Sequence, residues 1–181
     1  MKPTLHRSLV MKAALCAFAF IVTSSLASAH EIPKPCDFVT GGGFVKYSTG
    51  EHVNFGFNAG CKHHAFWGHV NVVDHKLHNL HMDSIQITGY TWTKVGTQRL
   101  RRDVCGTART NLYGTVKFHM VVTDNGEPGR NDRFGLSLSN GYMLRTRALS
   151  GGNIQLHKPN PSTTPPSTFT ECNNLAPDPG N

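Results

Sequence analysis

Two runs of alternating apolar side chains bracket one short connection: Val116, Phe118, Met120 and Val122 before it, Phe134, Leu136 and Leu138 after it. A period of two places every second side chain on one face. Each run therefore reads as a half-buried strand, and the pair as an antiparallel hairpin. The connection carries Asp124, Asn125, Glu127, Asn131 and Asp132 together with Gly126, Pro128 and Gly129. Glycine, proline, Asp and Asn build tight turns. Five oxygen-bearing side chains are also the donor set of a hard cation, so these five are a candidate calcium site. The competing reading is a hydrogen-bonded turn. In it Asp124 and Asn125 cap backbone amides, Pro128-Gly129 forms a type II turn, and Asp132 pairs with Arg130 or Arg133.

The same alternation recurs along the chain. Val53, Phe55 and Phe57 alternate with His52, Asn54, Gly56 and Asn58, giving a strand with one buried and one wet face. Residues 66–74 form another, with Val70 and Val72 inward and Trp67, His69 and Asn71 outward. Ile85 and Ile87 mark the next, running toward Tyr90 and Trp92, and a weaker strand covers 107–111. Tyr142, Leu144, Thr146 and Ala148 continue the pattern, and Ile154 and Leu156 close it after the Gly151-Gly152 turn. Gly41-Gly42-Gly43 interrupts an early strand and permits a bulge or a close backbone approach. Strands spaced roughly 8–12 residues apart, with no sustained helical period, predict an all-β antiparallel sandwich, either jelly-roll-like or a partly open barrel.

The ends differ in kind. Lys2, Arg7 and Lys12 precede an apolar stretch over 13–22, and Ala27-Ser28-Ala29 follows as a small-x-small cleavage pattern. Residues 1–29 read as a secretory signal peptide, too short in its apolar core for a membrane span. The β-domain is assigned to 30–157. Residues 158–181 are rich in Pro, Ser and Thr, and this composition predicts a disordered tail tethered at Cys172. A secreted or periplasmic location follows, with no membrane span in the mature chain.

Four cysteines lie beyond the signal segment: Cys36, Cys61, Cys105 and Cys172. An even count in an exported chain predicts two disulfides, and C-x-x-C metal spacing is absent. Three connectivities are open. The positions of Cys36 and Cys172 on either side of the strands favour joining those two, which leaves Cys61 with Cys105. The whole chain carries a formal net charge of +7. Its basic residues cluster only at Arg99, Arg101 and Arg102, with no aromatic residues interleaved. That pattern reads as a solvated loop and excludes a nucleic-acid surface.

Seven histidines fall between His52 and His81. Imidazoles suit zinc, copper and nickel, and Asp74, His75, His78 and His81 surround one turn, a candidate transition-metal site. The alternative is a histidine-rich surface that gains charge near pH ~6. His30, first after the expected cleavage, could chelate copper through its amine and ring, although Glu31-Ile32-Pro33 does not look like the lytic polysaccharide monooxygenases that use such a brace. There is no Gly-x-Ser-x-Gly elbow. Asp74, Asp83 or Glu127 could supply a carboxylate pair for glycosidic chemistry, and Trp67, Trp92, Tyr90 and Tyr113 a sugar-stacking face. No catalytic constellation stands out.

Several segments together carry a family likeness: Gly41-Gly42-Gly43-Phe44, Asn54-Phe55-Gly56-Phe57-Asn58, Val73-Asp74-His75 with Asp83-Ser84-Ile85, Asp124-Asn125-Gly126-Glu127-Pro128-Gly129 with Asp132 and Phe134, and Leu149-Ser150-Gly151-Gly152-Asn153-Ile154-Gln155-Leu156-His157. Over residues 38–157 the chain resembles the secreted bacterial β-domain that follows the choice-of-anchor-P module of surface proteins, and free-standing exported relatives of it. The resemblance implies a β-rich fold and an extracytoplasmic setting, and no activity. Its motif positions, the acidic turn and the closing Gly-Gly-Asn strand, become candidate structural or binding positions. The histidine-rich segment at 61–64 and the two disulfides depart from that pattern. The expected role is a non-catalytic binding or structural module for a protein or glycan of the cell envelope. The alternative is a metal-dependent secreted enzyme or a calcium- or transition-metal-binding protein.

Overall fold

A computed structural model describes residues 30–93 and 100–180. The expected signal segment and Arg99 lie outside the described residues. The described residues form ten strands: β1 (His30–Glu31), β2 (Phe38–Lys46), β3 (His52–Lys62), β4 (Ala65–Asp74), β5 (Leu80–Thr93), β6 (Arg101–Thr110), β7 (Gly114–Thr123), β8 (Arg133–Leu138), β9 (Met143–Ala148) and β10 (Gly151–His157). Among the described residues the one helical element is a single 3-10 turn at Cys172–Asn174. No described helix is long and apolar enough to cross a membrane.

All pairings are antiparallel, and the strand order is β10-β2-β3-β4-β5-β6-β7-β8-β9, with β1 paired to β5. This is a meander in one strongly curled sheet, nearer the partly open barrel than a jelly roll of two packed sheets. The alternation explains the curl. Val53, Phe55, Phe57, Val70, Val72, Met82, Phe118, Met120, Phe134, Leu136 and Ile154 point to one side and form a single apolar cluster. Removing that side from water requires the sheet to roll around it. Phe55 and Phe134, from distant strands, stack across this interior with ring centroids 4.1 Å apart. Gly41 faces it too: a methyl there would meet the Phe57 ring at 2.7 Å and Ile154 at 2.9 Å.

Three expectations are corrected. The disulfides join Cys36 to Cys61 and Cys105 to Cys172, with Cα separations of 5.8 and 5.4 Å. Register explains the first. Phe38 lies opposite Gly60, so Cys36 just before β2 and Cys61 near the end of β3 are neighbours across one hairpin.

The tail does not stand free. Proline lacks an N–H but keeps its carbonyl, and the tail lies along the sheet largely as a row of acceptors. His63 N donates to Ser162 O, His64 N to Thr164 O, and Thr146 N to Pro179 O. Ser137 Oγ donates to Pro177 O. Its last part covers the outer side of β6–β8 and buries Cys105, His119, Val121 and Ser137 there.

The basic cluster is not a solvated loop. Arg101 and Arg102 open β6, and Arg102 is buried, bidentate on Asp37.

Candidate functional site

The acidic turn joins β7 to β8, and the carboxylates of Asp124 and Asp132 are spent on backbone N–H groups. The carboxylate of Asp132, fully buried, accepts from Asn125 N and from Ile154 N, each at 2.8 Å. Asp124 accepts from Gly126 N at 2.9 Å and from Leu156 N at 2.8 Å. Asn125 Nδ2 donates to Asn131 O, and Glu127 Oε1 accepts from Asn153 Nδ2. Gly129 N bonds Gly126 O, so Glu127-Pro128 is the centre of that turn rather than Pro128-Gly129. Asp132 contacts backbone N–H groups instead of Arg130 or Arg133.

The histidine turn does not assemble around Asp74. Asp74 points inward and accepts from Tyr47 OH at 2.7 Å and Tyr142 OH at 2.8 Å. His75 lies outside: its Nε2 is 3.2 Å from Asn54 Nδ2, its Nδ1 is 3.1 Å from Asn79 Oδ1, and its ring is 4.4 Å from the His52 ring. His78 and His81 are exposed, and His81 sits opposite Val73 in the ladder. His69 pairs with Asp83 at 3.0 Å. His30 is buried, with Nδ1 2.9 Å from Glu171 Oε2, beside a groove of about 550 Å³ walled by Trp92 and Phe169.

Asp74 and Asp83 occupy opposite faces of the sheet, and the four aromatics share none. Tyr90 is in the core donating to Asp37, Trp67 is on the outer face, Trp92 lines the His30 groove, and Tyr113 is exposed in the β6–β7 turn.

One charged group escaped the sequence reading. Asp103, His119 and Asp178 bring ligand atoms within 4.8 Å of one another. His119 Nε2 is 2.8 Å from Asp103, its Nδ1 is 3.3 Å from Ala176 O, and Arg101 bonds both Asp103 and Asp178. Burial pushes the Asp103 carboxyl up, but hydrogen bonds from His119 and Arg101 outweigh it and hold the group well below the usual carboxylate range. The Arg101 guanidinium already supplies the positive charge that a metal would bring to this trio. The cluster fastens the tail. The sequence carries little signal for it: Asp103 follows two arginines at the start of a largely polar strand, and His119 and Asp178 are distant in the chain.

The outer face of β10, β2, β3, β4 and β5 has a different character. The ladder places Asn153, Gly42, Gly56, Asn71 and Asp83 in one row across five strands. On one side runs the row Gln155, Thr40, Asn58, His69; on the other, Phe44, Asn54, Val73, His81. Beyond lies Phe38, stacked on His157 at 4.4 Å and tilted against Trp67 at 5.9 Å. Recesses of about 460 Å³ over Thr40, Gly42 and Asn58 and of about 330 Å³ over Phe44, His52 and Asn54 mark the two flanks of the glycine row. The Asn54-Phe55-Gly56-Phe57-Asn58 alternation announced the wet side of this face. Its continuity across strands depends on register.

Comparison with protein-family models, with curated proteins and with solved structures finds no match to this chain.

Proposed function

We propose that this chain is an exported, non-catalytic β-domain that acts at the cell surface or in the periplasm by presenting the outer face of β10 and β2–β5 to an envelope partner. One contrast carries the reading. The tail seals the outer side of β6–β8 and of β5 around Thr88 and Gly89, while the outer side of β10, β2–β4 and the first part of β5 stays open and carries the polar and aromatic rows. Two disulfides support an oxidising compartment. The buried carboxylates Asp37, Asp74, Asp103 and Asp132 are each committed to fixed hydrogen bonds, which suits a scaffold.

The test is fractionation of bacteria expressing the full chain, followed by co-sedimentation of the purified product with isolated cell envelopes. Expected are a product beginning at His30, no free thiols, and saturable sedimentation. A cytoplasmic product with free thiols overturns export. A product that stays in the supernatant at every envelope concentration overturns the binding role.

A further inference from the structure

Glycines inside strands weaken them unless a contact demands them. For most strand glycines here the demand is visible. A methyl at Gly60 would lie 2.5 Å from Phe38, at Gly89 2.6 Å from Cys105 Sγ, and at Gly151 2.5 Å from the Phe44 ring. Gly42 and Gly56 differ. Neither has a left-handed φ. A methyl on Gly42 would meet its nearest neighbour at an ordinary 3.7 Å, and one on Gly56 would meet nothing within 4 Å. These two glycines are direct partners in the ladder, and both face outward. The fold has no use for the missing side chains. What their absence creates is an open floor between two rows of taller side chains.

The side chains nearest the two glycines are uncharged, and the charged groups stand at the margins: Asp83 paired with His69 at one end, and Lys46 with its Nζ 5.7 Å from the centre of the Phe44 ring on one flank. Asn58 accepts from His69 N through Oδ1, and its Nδ2 has no protein partner among the described residues. Asn71 donates to Asp83 through Nδ2 and keeps Oδ1 unpaired in the same sense. Asn54 donates toward His75 and likewise keeps Oδ1. Each amide is fixed at one end by a neighbour and offers the other, so a donor and two acceptors stand in pre-set positions. Gln155 and Thr40 extend the polar wall on one side, and Phe44 supplies an apolar one on the other.

From this we infer that the Gly42–Gly56 trough binds a neutral polysaccharide lying across the strands. Sugar hydroxyls both donate and accept, and the C–H faces of the ring suit Phe44. Around the glycine floor itself the contacts are uncharged, and the marginal charges, Asp83 and Lys46, are of opposite sign, so no concentrated charge rewards a phosphate or a charged peptide. A peptide adding as a strand needs a free edge, and β2, β3, β4 and β5 are laddered on both sides. The inference rests on the envelope-binding reading and names its ligand class.

The experiment is affinity electrophoresis of the mature, oxidised protein through gels containing soluble β-glucan, mannan, galactan or arabinoxylan. It is run alongside envelope co-sedimentation, with untreated and protease-treated envelopes. The variants are Gly56→Val, which fills the floor, and Asn58→Ala and Gln155→Ala, which remove wall amides without adding bulk. Tyr113→Ser, in the distant β6–β7 turn, is the control. Expected are retardation by at least one polysaccharide, loss of at least about tenfold in affinity for Gly56→Val and Asn58→Ala, and no change for Tyr113→Ser. Melting temperatures are to be unchanged or raised for Gly56→Val, and envelope binding is to survive protease. Should Gly56→Val not fold, Asn58→Ala and Gln155→Ala decide alone. Absence of retardation in all four gels overturns the inference, as does full binding by the folded variants. Envelope binding that survives these substitutions leaves the module reading standing and removes the trough. Envelope binding abolished by protease makes the occupant a protein. Absence of envelope binding as well removes both.

Discussion

Asp132 Oδ2 accepts the backbone N–H of Ile154 at 2.8 Å, from the start of β8 to the middle of the last strand. Asp124 repeats the contact two residues on, at Leu156 N. β10 ladders with β2 along one edge, which leaves the N–H groups of Ile154 and Leu156 pointing away from that ladder. An unpaired N–H beside the apolar core is costly. The two carboxylates take the place of a neighbouring strand along the free edge of β10, and so cap an edge that would otherwise invite pairing with another chain.

Replacing Asp132 by Ala removes an acceptor shared by two backbone N–H groups, one of them at a fully buried residue. The expected loss is about 3 kcal/mol in urea unfolding, because charge-assisted bonds are lost and buried donors are left unmet. Asp124→Ala, at a partly exposed position, should cost about 1 kcal/mol. Equal and small effects for the two would remove the capping role.

The same contacts bear on calcium. A cation at the acidic turn would have to compete for oxygens of Asp124 and Asp132 that already accept N–H bonds. The melting temperature of purified protein should be the same in excess calcium and in EDTA. A rise with calcium that Asp132→Ala abolishes would mean that the turn opens to take the ion.

Residues visible in the sequence and residues hidden from it divide along a physical line. Alternation placed Val53, Phe55 and Phe57 inward and His69 and Asn71 outward, and the structure agrees, because parity is local. Ile85 and Ile87 share a parity, yet Ile87 is buried and Ile85 is 55% exposed. A register shift between Ser84 and Gln86 separates them, and nothing in the residue types announces it. Disulfide partners and the Asn153–Gly42–Gly56–Asn71 row likewise depend on which strands are neighbours. The proline-rich composition of the tail reports its lack of N–H donors. It says nothing of the donors elsewhere that its carbonyls satisfy.

Tyr47 and Tyr142 both donate to buried Asp74 and tie the β2–β3 turn and the β8–β9 connection to the end of β4. Burial and then the hydrogen bond to Asp74 push the Tyr47 phenol from 10.0 up to about 12. Burial followed by the nearby charge of Tyr47 and Asp74 raises Tyr142 further, and Tyr90 is raised mainly by burial. A value higher in the folded than the unfolded chain means that the neutral phenol favours folding. That contribution is complete below pH ~10 and is lost as pH rises through about 12 for Tyr47. Stability should therefore fall across that window, and the tyrosinate absorbance of three of the four tyrosines should appear together with unfolding. Tyr47→Phe should flatten the alkaline decline. Ionisation of all four tyrosines well before the fold is lost would contradict the Asp74 arrangement.

The two disulfides close loops of different size and hold different parts of the molecule. Cys36–Cys61 spans 25 residues within one hairpin that the β2–β3 ladder already defines. Cys105–Cys172 spans 67 residues and anchors the tail to β6. Chain entropy assigns roughly 3.5 kcal/mol to the first and roughly 4.5 kcal/mol to the second. The second should cost more than this difference suggests, because the tail shields His119, Val121 and Ser137 and pairs Asp178 with Arg101. Paired Cys→Ser variants separate the two. The Cys36/Cys61 variant is expected to lower the melting temperature while leaving tail amides such as Thr170 protected from hydrogen exchange through the bond to Thr88. The Cys105/Cys172 variant is expected to release those amides first and to make the tail sensitive to protease below the global transition. Protection of the tail unchanged in that variant would mean that the carbonyl contacts and the Arg101–Asp178 pair hold it without the covalent link.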